Sequence, residues 1–216
     1  MTQIFIFGAS TAYGSGAELA GWGDLLKQSM LTKMYGKDGP GEKCEVYNFA
    51  QHGATIEFVL VAAPEQLKYY RKSGKVVAVV QVGGNNIKAK GTPDGFVVSL
   101  EEYENLMSQL IERLRVGVDE LVMLDALMPV DESKTNPEID KTTGRKSYFT
   151  NDRIFLFNHA LGKLCRKYKV HHIDLTTDPK EWVKDRVSAD GLHPNQAGHR
   201  YIFDKVSPQI EKLLES

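Results

Sequence analysis

Short apolar runs rich in Val, Ile and Phe alternate with longer stretches of helical spacing along the whole chain, and this alternation constrains the fold more than any other feature. Ile4 to Phe7, Val46 to Phe49, Val76 to Val82 and Leu121 to Leu124 are too brief for helices and rich in Val, Ile and Phe. They read as strands buried on both sides, with Ile173 to Leu175 as a fifth. Between them, Tyr103, Leu106, Met107, Leu110 and Leu114 share one helical face, and Ser99 with Glu102 forms a capping box ahead of them. Another amphipathic helix is read from Ile154, Phe157, Leu161, Leu164 and Tyr168. A last one is read from Ile202, Val206, Ile210 and Leu213, with Pro208 expected to kink or split it. Such repetition predicts an α/β fold around a mainly parallel, five-stranded sheet. With 216 residues, 42% of them apolar, the chain can bury a sizeable core as one domain spanning 1–216.

The segment from Pro129 to Thr150 fits neither period. Its Thr, Lys, Asp and Pro content predicts a surface loop, and a loop of that length inside a compact domain points to a rim or lid over a site.

Charge and cysteine usage narrow the partners. A formal net charge of −1 lacks the excess of Lys and Arg that a nucleic-acid surface needs, so a small-molecule partner is expected instead. Cys44 and Cys165 are far apart and lack metal-ligand spacing, which predicts neither a zinc site nor a disulfide framework. No stretch is apolar for long enough to span a bilayer. The first apolar run begins right after Met1, Thr2 and Gln3, without a basic region or cleavage signal, so a cytoplasmic protein is the expectation. The sequence assigns no oligomeric state.

In an open parallel sheet, ligands bind beyond the carboxyl ends of the strands. Four loops there carry unusual residues: Gly8 to Gly14 with Ser10, Asn48 to Ala54 with Gly53, Gly83 to Asn86 with Asn85, and Asp190 to Asn195 with His193. Together they hold what acyl transfer requires. A serine hydroxyl needs an imidazole to take its proton and return it to the leaving group, and His193 is the candidate. The imidazole needs a group that fixes its tautomer, and Asp190 lies three residues away on a turn shaped by Gly191 and Pro194. The oxyanion formed on attack needs fixed donors, for which the Ser10 and Gly53 backbone N–H groups and the Asn85 side chain are the candidates.

Those blocks resemble the SGNH or GDSL hydrolases, which carry a Ser, a Gly, an Asn and a His in this chain order. The resemblance spans nearly the whole chain and is most specific at Asp190-Gly191-Leu192-His193-Pro194. It implies a flavodoxin-like three-layer α/β/α sandwich and ester hydrolysis by Ser10, Gly53, Asn85 and His193, without metal or organic cofactor. Two positions depart from the pattern. Gly8-Ala9-Ser10 lacks the usual aspartate before the serine, and Gly83-Gly84-Asn85-Asn86 has an amide where the family usually has a carboxylate, which predicts altered support for the site with the chemistry kept. The substrate expected is a small-molecule ester of a short-chain acyl or acetyl group.

Other readings of the same residues are blander. Ser10 alone reads as a helix N-cap, and Asn85 with Asn86 alone as turn residues. His52, His171, His172 and His199 are expected to be non-catalytic, and Trp22, Trp182 and Tyr13 to pack. A dinucleotide-binding loop at Gly8 would want glycines where Ser10 and Tyr13 stand, and it leaves Asp190 to Asn195 unexplained. A non-catalytic binding domain on the same fold is the remaining alternative, motivated by Ala9.

Overall fold

A computed structural model describes residues 1–37 and 40–215. In chain order the elements are β1 (Thr2–Gly8), α1 (Ser10–Tyr13), α2 (Trp22–Met34), β2 (Cys44–Asn48), α3 (Ile56–Tyr70), β3 (Lys75–Gln81), α4 (Gly84–Ile87) and β4 (Ala89–Lys90). They continue with α5 (Leu100–Arg115), β5 (Glu120–Leu124), α6 (Glu132–Thr135), β6 (Glu138–Ile139), β7 (Lys146–Tyr148), α7 (Asn151–Tyr168), β8 (His171–Ile173), α8 (Pro179–Arg186) and α9 (Gln196–Glu215).

Five strands form one parallel sheet in the order β2-β1-β3-β5-β8. The central strands β1 and β3 are buried along nearly their whole length, as continuous apolar runs require. Their side chains alternate between the two faces. Phe5, Phe7, Ala78 and Val80 pack with Ile56 and Val59 of α3, Met107 and Leu110 of α5, and Phe157 and Leu161 of α7. Ile4, Ile6, Val77 and Val79 pack on the other face with Trp22 and Leu26 of α2, Trp182 of α8, and Ile202 and Val206 of α9. Two apolar layers on one sheet give the three-layer α/β/α sandwich. Helix α5 shows how the sequence sets its own limits. The Ser99 hydroxyl accepts the Glu102 N–H at 3.1 Å, Glu101 and Glu102 sit at the positive end, and Arg113 and Arg115 at the negative end.

Three expectations are corrected. The fifth strand lies at His171–Ile173, two residues before the Ile173 to Leu175 run that suggested it, because backbone pairing with Val122 to Leu124 selects the register. Pro208 does not split α9, which runs unbroken from Gln196 to Glu215. The carbonyl left without an N–H partner belongs to Asp204 on the exposed face, where water can satisfy it. The 129–150 segment is not irregular: it holds α6, β6 and β7, and β7 pairs antiparallel with both β4 and β6 to form a small second sheet. Among the described residues, no helix is long and apolar enough to cross a membrane.

Candidate active site

Strand β1 ends at Gly8, where a side chain has no room, since a Cβ would overlap the Gln81 carbonyl oxygen. The turn that follows presents Ser10 as the first residue of α1. Ala9 provides no capping side chain. Instead the Ala9 N–H donates to the Gln81 carbonyl at 3.1 Å, the Gln51 N–H to the Gly8 carbonyl at 3.0 Å, and the Asn48 amide to the Ala12 carbonyl at 2.9 Å. These bonds from β2, β3 and the loop after β2 brace the turn that the missing aspartate would otherwise support.

The Asp190–Pro194 turn brings its imidazole to the same place. His193 Nε2 lies 2.8 Å from Ser10 Oγ, and Nδ1 lies 2.6 Å from Asp190 Oδ2. Asp190 Oδ1 accepts three further bonds, from the N–H of His193 at 2.9 Å, the N–H of Leu192 at 2.8 Å and the Ser188 hydroxyl at 2.7 Å. Partial burial raises the Asp190 pKa, but the hydrogen bonds from His193, Ser188 and Leu192 outweigh it and hold this carboxyl well below the usual carboxylate range. An ionised Asp190 keeps a proton on Nδ1 and leaves the lone pair of Nε2 facing the serine hydroxyl.

Asn85 lines the same pocket as Ser10 and His193, together with Gln81, Ala126, Leu127, Phe149 and Leu192. One N–H of its amide donates to the Ala54 carbonyl at 3.1 Å. Asn86 is fully buried; its Oδ1 accepts the Ile56 N–H at 3.0 Å and its Nδ2 donates to Glu57 Oε2 at 2.8 Å. The amide is therefore the residue type this position needs, because an aspartate would set a second carboxylate against Glu57. Gly53, with φ of 73°, stands in the loop before α3 and is not part of that pocket's lining.

His52, His171, His172 and His199 are engaged elsewhere. His171 pairs with Glu120 at 3.2 Å and His172 with buried Asp125 at 2.9 Å, while exposed His52 lies 3.1 Å from the Ser15 hydroxyl. His199 is fully buried between Ser15 and Trp22. Among the described residues, no three His, Cys, Asp or Glu side chains gather as a metal site. Trp22 and Trp182 pack in the core, whereas Tyr13, expected to pack, is 54% exposed.

Several site residues carried no motif. Ser188 is one, although a hydroxyl two residues before an aspartate is a common local partner for it. Phe149 and Leu127 reach the pocket from segments distant in sequence, which no local pattern announces, and Phe149 makes the end of the 129–150 segment a wall of the site. The pocket itself is small, about 20 Å³. Four larger cavities, of about 350, 430, 350 and 280 Å³, have neither Ser10 nor His193 in their walls.

A parallel α/β sandwich with a serine, an imidazole and a carboxylate in line beyond its strand ends defines a hydrolase class. The family model of the GDSL-like lipase/acylhydrolases matches residues 4–206, and the chain belongs to that family. It is an esterase of the GDSL type. A mouse isoamyl acetate-hydrolyzing esterase 1 homolog is 24% identical over 220 residues, covering 99% of this chain and 83% of the relative. The isoamyl acetate-hydrolyzing esterase of Saccharomyces cerevisiae is 24% identical over 173 residues, covering 78% of this chain and 70% of the relative. The crystal structure of a lipase/acylhydrolase from Enterococcus faecalis superposes with a TM-score of 0.68 at 17% identity, covering 98% of this chain and 96% of the other. The dinucleotide-loop and binding-domain alternatives fall away with this assignment.

Proposed function

We propose that the chain hydrolyses short-chain acyl esters, acetyl esters foremost, through an acyl-enzyme on Ser10. The continuous relay from Ser10 Oγ through His193 to Asp190, at 2.8 and 2.6 Å, is the observation that carries this reading. His193 Nε2 takes the serine proton as Oγ attacks the ester carbonyl, and Asp190 stabilises the imidazolium that forms. The oxyanion receives the Ser10 N–H and the second N–H of Asn85, each such donor contributing about 3 kcal/mol in the transition state, while Gly53 stands outside the pocket's lining. Collapse breaks the bond to the alcohol, which leaves with the proton from His193. Water then attacks the acyl-enzyme with its proton passing to Nε2, and Ser10 regains a proton as the carboxylic acid departs.

The small size of the pocket supports a short acyl group. A volume of about 20 Å³ exceeds by little the 10–15 Å³ that one water-sized group fills, so it suits a methyl group beside the carbonyl. Leu127, Phe149 and Leu192 provide its apolar walls. The acetate named in the mouse and yeast relatives supports the same acyl group.

Hydrolysis of p-nitrophenyl acetate by the parent protein, Ser10→Ala and His193→Ala, all verified as folded by circular dichroism, tests the proposal. Loss of about 10³-fold or more in kcat in both variants is expected. Activity that survives in Ser10→Ala would overturn the mechanism. A preference for long-chain over acetyl esters would overturn the substrate.

A further inference from the structure

Lys88 follows α4 and stands one helical turn after Asn85, with its ammonium 3.1 Å from Asn85 Oδ1. On the other side of the amide, Nδ2 donates to the Ala54 carbonyl at 3.1 Å. The two neighbours fix the same orientation independently. An ammonium has only protons to offer and a backbone carbonyl has only lone pairs, so a flipped amide would set N–H against N–H and oxygen against oxygen. The Lys88 nitrogen also lies 5.6 Å from the centre of the Phe149 ring, which walls the pocket, so its charge is held beside the reacting centre.

We propose that Lys88 is a positioning residue for the oxyanion donor Asn85: its ammonium locks the amide with the second N–H available to the oxyanion and polarises that N–H through Oδ1. The inference rests on the assignment of Asn85 as an oxyanion donor. Withdrawing electron density at the amide oxygen deepens the positive charge on its N–H groups, which favours the anionic transition state over the neutral ester. Burial pushes the Lys88 pKa down, and Lys90 pushes it the same way, while Glu138 and Asp140 oppose the shift. The ammonium thus sits where water screens it poorly and where its field counts for more.

Both acylation and deacylation pass through an oxyanion, so the effect falls on kcat whichever step limits the rate. The test is steady-state hydrolysis of p-nitrophenyl acetate by Lys88→Met and Lys88→Arg, with thermal melting as the check on folding and Ser10→Ala as the control. Lys88→Met should lower kcat about tenfold with KM within about twofold, a smaller loss than the 10²–10³ expected for removing a donor outright. Lys88→Arg should recover most of the loss, since it also presents a cation with donors only. In an Asn85→Ala background, Lys88→Met should have no further effect on kcat, an outcome that a merely structural lysine would not produce. The proposal is overturned if Lys88→Met leaves kcat unchanged, or if it lowers kcat by the same factor with and without Asn85. Because Asn85→Ala alone reports on the oxyanion donor and Ser10→Ala on the nucleophile, failure of this inference is distinguishable from failure of the reading on which it rests.

Discussion

His199 Nε2 lies 2.9 Å from the carbonyl oxygen of Ser15, and this contact ties α9 to the turn that carries Ser10. The Trp22 N–H donates to His199 Nδ1 at 3.3 Å, so the proton sits on Nε2 and the ring is neutral. The Ser15 N–H in turn donates to the Ser10 carbonyl at 2.9 Å. Burial lowers the His199 pKa and nearby His193 adds to the shift, against opposing effects of the Ser15 carbonyl and Asp24.

The sign of the pH effect follows from that direction. The folded-state pKa lies below the unfolded value of about 6.5, so between the two the unfolded chain binds a proton that the folded chain does not. Stability from this residue is complete above about pH 6.5 and is withdrawn as pH falls below it. His199→Gln should be less stable than the parent in urea by about 1–3 kcal/mol at about pH 8, because buried partners lose their bonds. The difference should narrow at about pH 5.5. A constant difference at both pH values would show that His199 does not resist protonation.

Asp190→Asn should retain the turn and lose the rate. A neutral amide in place of the carboxylate 2.6 Å from Nδ1 no longer compels a proton onto that nitrogen, so the ring can turn an N–H toward Ser10. The expected loss is about 10³–10⁴ in kcat with KM little changed, read from p-nitrophenyl acetate kinetics. The Asp190 pKa is held below the usual range of about 3.9, so the parent's relay stays ionised through mildly acidic pH. An acid limb in the parent's rate above about pH 5 therefore belongs to another group.

The parts of this architecture that the sequence discloses are those with a local physical signature. The runs at Ile4 to Phe7 and Val76 to Val82 reveal β1 and β3 because both faces of these strands are buried. Ser10, Asn85, Asp190 and His193 are recognisable by residue type and order, and they line or adjoin one pocket, whereas Gly53, recognisable in the same way, is not in its lining. What was not legible depends on partners distant in the chain. Two-residue and three-residue strands such as β6 and β7 carry no period of their own, and only pairing with each other and with Ala89–Lys90 makes them a sheet. Helix α9 passes through Pro208 because tertiary packing of Val206 and Ile210 holds the helix where propensity alone would break it. The link between Lys88 and Asn85 has helical spacing, yet it acquires meaning only when Ala54 is seen on the other side of the amide.

Leu127→Ala should redirect acyl preference. Leu127 is 7% exposed, walls the pocket, and lies where a Cβ on Gly84 would touch it at 2.7 Å, so its side chain limits the space over Ser10. Truncation should cost about 2–4 kcal/mol of stability as a core cavity opens. It should also raise kcat/KM for longer acyl groups relative to acetate by about fourfold per methylene accommodated, from about 0.8 kcal/mol for each buried CH₂. A series of p-nitrophenyl acetate, butyrate and hexanoate measures the shift, and an unchanged order would place the acyl group elsewhere.

Gly16→Ala offers a test of the base from outside the relay. Gly16 has φ of 90°, a conformation that costs a side-chain-bearing residue about 1–3 kcal/mol. A Cβ there would also overlap the Pro194 carbonyl oxygen and lie 3.0 Å from His193 Cβ. The turn carrying His193 must give way, and Nε2 moves off its 2.8 Å contact with Ser10 Oγ. The variant should melt several degrees lower and lose about tenfold or more in kcat, since small displacements of a catalytic group carry large rate penalties. In a His193→Ala background the same substitution should still lower the melting temperature but no longer lower kcat. Additive losses in kcat would mean that Gly16 supports some other part of the site.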